Sequence, residues 1–161
     1  MGKIISEGKV DLIVKKLKSQ GRKLVLAGGC FDVLHPGHII FLEKAKNAGD
    51  VLFVLLESDQ KIKLLKGLSR PVHPQKERAR VLSAINFVDY VVLLPFMERQ
   101  SHYDDLVKKI MPDIIAATFA SDDNNHRKRA ADLSGAKLVF VTKMIGDHST
   151  TKILTHNKVI C

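Results

Sequence analysis

Two histidines three residues apart, His35 and His38, close the run Gly28-Gly29-Cys30-Phe31-Asp32-Val33-Leu34-His35-Pro36-Gly37-His38. Before this run lies the apolar stretch Leu24-Val25-Leu26. After it, Ile39, Ile40, Leu42 and Ala45 recur at helical spacing with Glu43, Lys44 and Lys46 between them. A buried strand from Lys23 to Ala27 therefore delivers both imidazoles to the start of a helix spanning 37–48. Unpaired N–H groups at a helix start attract anions, and two imidazoles add further donors, so the chemistry expected here is the binding and polarisation of phosphate. Gly28 and Gly29 are expected to let the backbone turn sharply, Pro36 to stiffen the turn, and Gly37 to allow close approach of a ligand between the histidines. The same histidines would also suit a loop in which backbone carbonyls satisfy them. Two features elsewhere weigh against that reading.

The first is a run of hydroxyls, Ser149-Thr150-Thr151, ahead of Ile153 and Leu154. Ser149 suits an N-cap, but capping needs one hydroxyl and three are present. The second is a basic segment in which Lys61, Lys63, Lys66, Arg70, Lys76, Arg78 and Arg80 face only Glu77. It carries much of a net charge of +9, from 26 Lys and Arg against 17 Asp and Glu, which favours polyanions or phosphorylated ligands. Nucleic acid is disfavoured, because there is no Trp, aromatics are 6% of the chain, and no basic stripe is interleaved with stacking residues. Lys61, Lys76 and Arg80 read as a solvated helix face.

The elements that must hold these groups alternate along the chain. Ser6 to Gln20 reads as an amphipathic leading helix ended by Gly21, with residues 1–21 preceding a core of 22–155 and a tail of 156–161. Strands are expected at Lys23 to Ala27, Val51 to Leu56, Asp89 to Leu94, Asp113 to Ala117 and Lys137 to Val141. Helices are expected at 37–48, Gln60 to Lys66, Pro74 to Ile85, Tyr103 to Met111 and Asp123 to Leu133, with another from Ser149. Strands separated by helices imply right-handed crossovers and a parallel sheet covered on both faces, an α/β Rossmann-like doubly wound fold whose ligand lies beyond the C-terminal strand ends. At 161 residues, 45% of them hydrophobic, a single domain with a full core is expected. The two cysteines, Cys30 and Cys161, do not suggest a disulfide. Met1 to Glu7 lacks the apolar core of a signal peptide, and no run approaches membrane-spanning length, so a cytoplasmic protein with no membrane partner is expected.

His35-Pro36-Gly37-His38, with Gly29-x-Phe31-Asp32 before it and His148-Ser149-Thr150-Thr151-Lys152-Ile153 near the end, resembles the nucleotidyltransferases of the His-x-Gly-His superfamily, in their cytidylyltransferase-like branch. Ser58-Asp59, Leu65-Lys66-Gly67, Arg70-Pro71-Val72, Pro74, Glu77-Arg78 and Val88-Asp89 are similar to landmarks of the glycero-manno-heptose 1-phosphate adenylyltransferases; glycerol 3-phosphate cytidylyltransferase is a more distant likeness. The resemblance implies transfer of a nucleoside monophosphate from a triphosphate, ATP favoured over CTP, to a sugar phosphate such as heptose 1-phosphate, with release of pyrophosphate. The alternatives are CTP-dependent transfer to glycerol 3-phosphate or another polyol phosphate, and a nucleotide-binding module without turnover. Implied catalytic residues are His35, His38 and Lys66. Gly29, Cys30, Phe31, Gly37, Arg78, Lys143, Ser149, Thr150 and Thr151 are assigned to nucleotide and phosphate binding, Cys30 itself as a small apolar filler. Asp32, Arg70 and Asp122 are assigned to the acceptor, with a structural Asx turn as an equal reading of Asp32.

Magnesium is expected to be held mainly by the triphosphate, since no carboxylate cage is evident. The expected partners are the triphosphate and a phosphorylated small-molecule acceptor, with a second copy of the chain as a further candidate. Two departures from the family pattern stand out. Lys143 occupies the place of a usual arginine, offering a point charge in place of a bidentate fork. Ala117 to Asp123 replaces the usual glycine- and aspartate-rich loop after Pro112-Asp113.

Overall fold

A computed structural model describes residues 1–119 and 124–143. Six parallel strands form one sheet: β1 (Lys3–Ser6), β2 (Leu24–Gly29), β3 (Val51–Leu56), β4 (Tyr90–Leu93), β5 (Ile114–Phe119) and β6 (Lys137–Lys143), in the order β1-β4-β3-β2-β5-β6. Between them run α1 (Val10–Ser19), α2 (Pro36–Lys46), α3 (Asp59–Lys66), α4 (Gln75–Ser83), α5 (Gln100–Ile110) and α6 (Asn124–Ser134). The doubly wound expectation holds in detail, because alternate residues of the central strands feed two separate cores. Leu24, Leu26, Val51, Phe53 and Leu55 pack with Val10 and Val14 of α1 and Leu106, Val107 and Ile110 of α5. Val25, Ala27, Leu52, Val54 and Leu56 pack with Phe41, Leu42 and Ala45 of α2 and Ala79 and Leu82 of α4.

The expected leading helix from Ser6 is corrected at its start. Lys3–Ser6 is an edge strand with only Ile5 buried, a 3₁₀ turn at Glu7–Lys9 follows, and the α-helix begins at Val10. A strand of four residues with one inward side chain shows almost no alternation, and the helical periodicity behind it swallowed it. The strand expected to stop at Ala117 continues to Phe119. Its pairing with β6 shifts register between Ala117 and Thr118, which leaves Val141 unpaired between Phe140 and Thr142.

At the N-terminal edge of the sheet, carboxylates fasten the strand starts. Asp113 Oδ2 accepts from Leu24 N at 2.7 Å and from Lys18 Nζ at 2.9 Å. Asp89 Oδ2 accepts from Leu52 N at 2.7 Å and from Lys46 Nζ at 2.6 Å, and Asp50 Oδ2 accepts from Lys23 N at 2.7 Å. Burial opposes the charge on Asp113, but the hydrogen bonds from Lys18 and Leu24 overcome it and hold the carboxyl below its usual range. These aspartates explain the Val88-Asp89 and Pro112-Asp113 landmarks as strand clamps.

Candidate active site

The sheet opens at its opposite edge. Strand β2 stays paired with β3 as far as Gly29 but with β5 only at Val25↔Ile114 and Leu26↔Ile115, so β2 and β5 part beyond Leu26. This is where the strand order reverses direction, and a cleft of about 630 Å³ occupies the gap above it. The chain leaves β2 through Phe31, which takes the left-handed conformation at φ 43° and is buried. The turn itself thus falls on Phe31, a correction to the expectation that placed it on Gly28 and Gly29, both of which are still in strand. A side chain at Gly28 would meet only ordinary contacts, whereas at Gly29 a Cβ would sit 3.1 Å from the Phe31 ring.

His35 caps α2 in an extended conformation, Pro36 is the first helical residue, and His38 N donates to His35 O at 2.9 Å. The two imidazoles then stack with centroids 3.8 Å apart at 30°. A Cβ on Gly37 would lie 3.0 Å from the His35 ring, so glycine at 37 makes the seat for that ring. Phe31 flanks the other histidine, its centroid 5.2 Å from that of His38. Burial, the neighbouring His35 and the positive charge of Lys66 together depress the His38 pKa to about 4. The ring is therefore neutral near pH 7. Its Nδ1 is buried with no hydrogen-bond partner among the described residues. Protonation of this ring in the site requires that an arriving anion first offset these effects.

Lys66 ends α3, lines the cleft, and acts electrostatically on both His38 and Cys30. Burial raises the Cys30 thiol, opposed in part by Lys66, Arg78 and Arg70, which keeps it protonated and fits its reading as a small filler. Lys143, at the end of β6, also lines the cleft. Lys76 and Arg80 are exposed, as a solvated face requires.

Lys61 is corrected: it lines the cleft, its Nζ donating to Met97 O at 3.2 Å and lying 5.7 Å from the Tyr103 ring centroid. Arg78 is corrected as well. It is 2% exposed, and four of its donor hydrogens go to His73 O, Cys30 O, Glu57 O and Asp59 Oδ1. A guanidinium with five N–H groups so spent has too little left to clasp a phosphate; it braces the turns after β2 and β3 together. Asp32 and Arg70 follow suit. They form an ion pair 3% and 6% exposed, and Asp32 Oδ1 also accepts from Val72 N at 2.7 Å and His73 N at 3.2 Å. Asp32 is thus committed to the loop 70–73, which favours its structural reading, and Arg70 is turned toward it. Ser58 caps α3 by accepting from Lys61 N at 3.2 Å, and Asp59 Oδ2 takes Gln75 N at 3.1 Å.

Two cleft residues escaped the sequence reading. Glu57, directly after β3, accepts a 3.0 Å hydrogen bond from the Tyr103 hydroxyl in the first turn of α5. Burial, the Glu57 charge and this bond raise the Tyr103 pKa well above the usual phenol range. Neither carries a motif signal, and they are 46 residues apart in sequence. Asp122, Ser149, Thr150 and Thr151 lie outside the described residues. Among those described, no group of three or more His, Cys, Asp or Glu could hold a metal ion, and no helix is long and apolar enough to cross a membrane.

Comparison with known proteins agrees with this geometry. The cytidylyltransferase-like family model matches residues 26–153. Among curated relatives, bifunctional protein HldE of Nitratiruptor sp. is 39% identical over 145 residues, covering 90% of this chain and 30% of the relative. HldE of Helicobacter hepaticus is 38% identical over 152 residues, covering 94% and 30%. The chain therefore spans less than a third of the curated relatives it matches. Among solved structures, a lipopolysaccharide core biosynthesis protein from Thermoplasma volcanium superposes with TM-score 0.60 at 26% identity, over 80% of this chain and 100% of that one. Pantoate-beta-alanine ligase from Francisella tularensis, at TM-score 0.64 and 16% identity over 99% and 78%, shares the fold. The histidine pair at the parting of β2 and β5 and the family match over residues 26–153 agree: the chain belongs to the cytidylyltransferase-like family of nucleotidyltransferases.

Proposed function

We propose that this chain transfers a nucleoside monophosphate from ATP to the phosphate of a sugar phosphate such as heptose 1-phosphate. The observation that carries the reading is the stacked pair His35 and His38 at the N-terminus of α2, with Lys66 close enough to bias the charge of His38. An acceptor phosphate oxygen attacks the α-phosphorus in line, a new P–O bond forms, the bond to the β-phosphate oxygen breaks, and pyrophosphate leaves. No covalent enzyme intermediate is needed. His35 and His38 donate hydrogen bonds to oxygens of the reacting phosphate as charge builds, and Lys66 and Lys143 supply point charges. The helix start at Pro36 adds a fixed dipole. The triphosphate brings Mg²⁺ as its counter-ion, which neutralises part of its charge.

Heptose 1-phosphate is supported by the landmarks from Ser58-Asp59 through Arg70-Pro71-Val72 and by relatives named HldE. The family description, cytidylyltransferase-like, keeps CTP with a polyol phosphate as the second reading. Pyrophosphate release, assayed with ATP and CTP against heptose 1-phosphate and glycerol 3-phosphate, tests both. ATP with heptose 1-phosphate is expected to turn over fastest. Faster turnover with CTP would reassign the nucleotide, and no release with any pair would remove the transferase reading.

A further inference from the structure

The cleft is lined by charges of both signs. Lys66 beside the histidine turn supplies positive charge. The same lining holds a carboxylate, Glu57, whose placement is unusually determined for a loop residue. The Glu57 backbone N donates to Gly29 O at 3.2 Å, and its carbonyl accepts from the buried Arg78 at 2.8 Å. The main chain is fixed on both sides, and Glu57 lies among the residues that line the cleft. There the Tyr103 hydroxyl donates to its Oε2, and the Lys61 ammonium lies near the Tyr103 ring, held by Met97 O. Gln100, one turn earlier on α5, lines the same wall.

A carboxylate in a phosphate cleft needs a reason. It repels phosphate, and it raises the pKa of both Tyr103 and Cys30, so its charge is felt across the site. What it attracts is hydrogen-bond donors without negative charge. A carboxylate accepts from two adjacent hydroxyls, a phenol oxygen accepts a third, and an ammonium or amide donates to hydroxyl oxygens. This is the complement of a vicinal diol, not of a phosphate.

We propose that Glu57 and Lys61, with Tyr103 holding the Glu57 carboxylate in position, form the subsite for the neutral, hydroxyl-bearing part of the acceptor, and so select polyhydroxylated phosphates. The proposal rests on the transferase reading and gives its acceptor end a residue basis. The ribose of the nucleotide carries the same vicinal diol. The acceptor is favoured because Lys143, which the family resemblance assigns to the nucleotide, ends β6 on the far side of β2 and β5 from β3 and Glu57, which leaves the β3 side for the second substrate.

The test compares the wild type with Glu57→Gln, which keeps size and one acceptor but loses charge, and with Tyr103→Phe. Steady-state turnover is measured with ATP and heptose 1-phosphate. Calorimetry on the same proteins measures binding of ATP, 2′-deoxy-ATP, heptose 1-phosphate and inorganic phosphate, with thermal midpoints as the check on folding. Expected for Glu57→Gln is a rise of about ten-fold or more in the acceptor KM, with kcat and ATP affinity little changed. Tyr103→Phe should give a smaller rise of the same kind, because it positions the carboxylate without replacing it. The preference of the wild type for heptose 1-phosphate over inorganic phosphate should shrink in both variants. An acceptor KM within two-fold of wild type overturns the proposal while leaving the transferase reading intact. Weakened ATP binding with unweakened 2′-deoxy-ATP binding reassigns the subsite to ribose and overturns it too. A wild type that fails to turn over but still prefers heptose 1-phosphate to inorganic phosphate, a preference lost in Glu57→Gln, removes the transferase reading and sustains the subsite. Loss of folding in Glu57→Gln leaves Tyr103→Phe and Lys61→Met to decide on the same measurements.

Discussion

The two edges of the sheet spend their charges differently. At the N-terminal edge, Asp50, Asp89 and Asp113 each accept a backbone N–H in or immediately before a strand, and the latter two also pair with lysine. At the C-terminal edge, His38 presents an Nδ1 with no partner among the described residues, and Lys66 adds charge that further disfavours protonation of that ring. One edge is saturated and serves the fold. The other is held short of its preferred ionisation, which is the condition in which a site gains most from an incoming anion. The bracing residues Arg78, Asp32 and Arg70 lie just beneath that second edge and belong in character to the first.

The comparison breaks most visibly at Arg78. Arg78→Ala would leave three carbonyls and Asp59 Oδ1 without this donor, and a loss of about 3–5 kcal/mol of stability is expected in urea denaturation. A variant that unfolds like wild type but loses nucleotide affinity would move Arg78 back to phosphate binding. Next come His35→Ala and His38→Ala, each expected to lower kcat/KM about 100-fold with an unchanged thermal midpoint. A folded double variant with undiminished turnover would sever the site from the activity.

Asp113→Ala makes the reciprocal test, because it strips Leu24 N and Lys18 of their acceptor far from the cleft. It should cost about 1–2 kcal/mol of stability and leave kcat/KM unchanged. Altered kcat/KM in the folded protein would show that the two edges are coupled.

The edges should also titrate in separate windows. His38 binds its proton at about 4 in the folded chain and near 6.5 when unfolded, so the unfolded state holds more protons between those values. Stability from this group is complete above pH 6.5 and is lost as pH falls toward 4. For Asp113 the folded pKa lies below the ordinary 3.8, so its contribution is present above 3.8 and is lost only as pH falls through the depressed value. Urea midpoints measured against pH should therefore fall first because of His38, and His38→Gln should flatten that early limb while leaving the acid limb. An unchanged early limb would mean that His38 is not the group responsible. The smallest effect separates two lysines: Lys61→Ala should alter acceptor use several-fold, whereas Lys76→Ala, at an exposed position, should change nothing measurable.

The strands Leu24–Gly29 and Val51–Leu56 were legible because a wholly apolar run is what burial on both faces demands, and the histidine turn because its residue types are costly to place without a ligand. Their alternation with helices was enough to give the parallel, doubly wound architecture. Legibility failed where the decisive contact is tertiary. Arg78 and Lys76 are two cations on one helix, and only the packing of α4 sends one inward to Cys30 and Glu57 and leaves the other outside. Lys61 reads as solvent-facing until α5 brings Tyr103 over it. The Glu57–Tyr103 bond joins the end of β3 to the start of α5, and no local spacing encodes it. Gly37 was legible as a requirement but for a different reason, since it serves the His35 ring and not only the ligand.

Arg78 has one more consequence, for how this site can change over generations. It grips position 57 through the carbonyl oxygen, a group every amino acid supplies, and Gly29 holds the same residue through its amide. These two backbone bonds to the turn therefore do not depend on which side chain stands at 57. Selection can try carboxylate, amide or hydroxyl there at little cost in stability, so preference for one acceptor over another can drift while the histidine pair and its scaffold stay as they are. A saturation library at position 57 should accordingly show a narrow spread of thermal midpoints beside a wide spread of acceptor preferences.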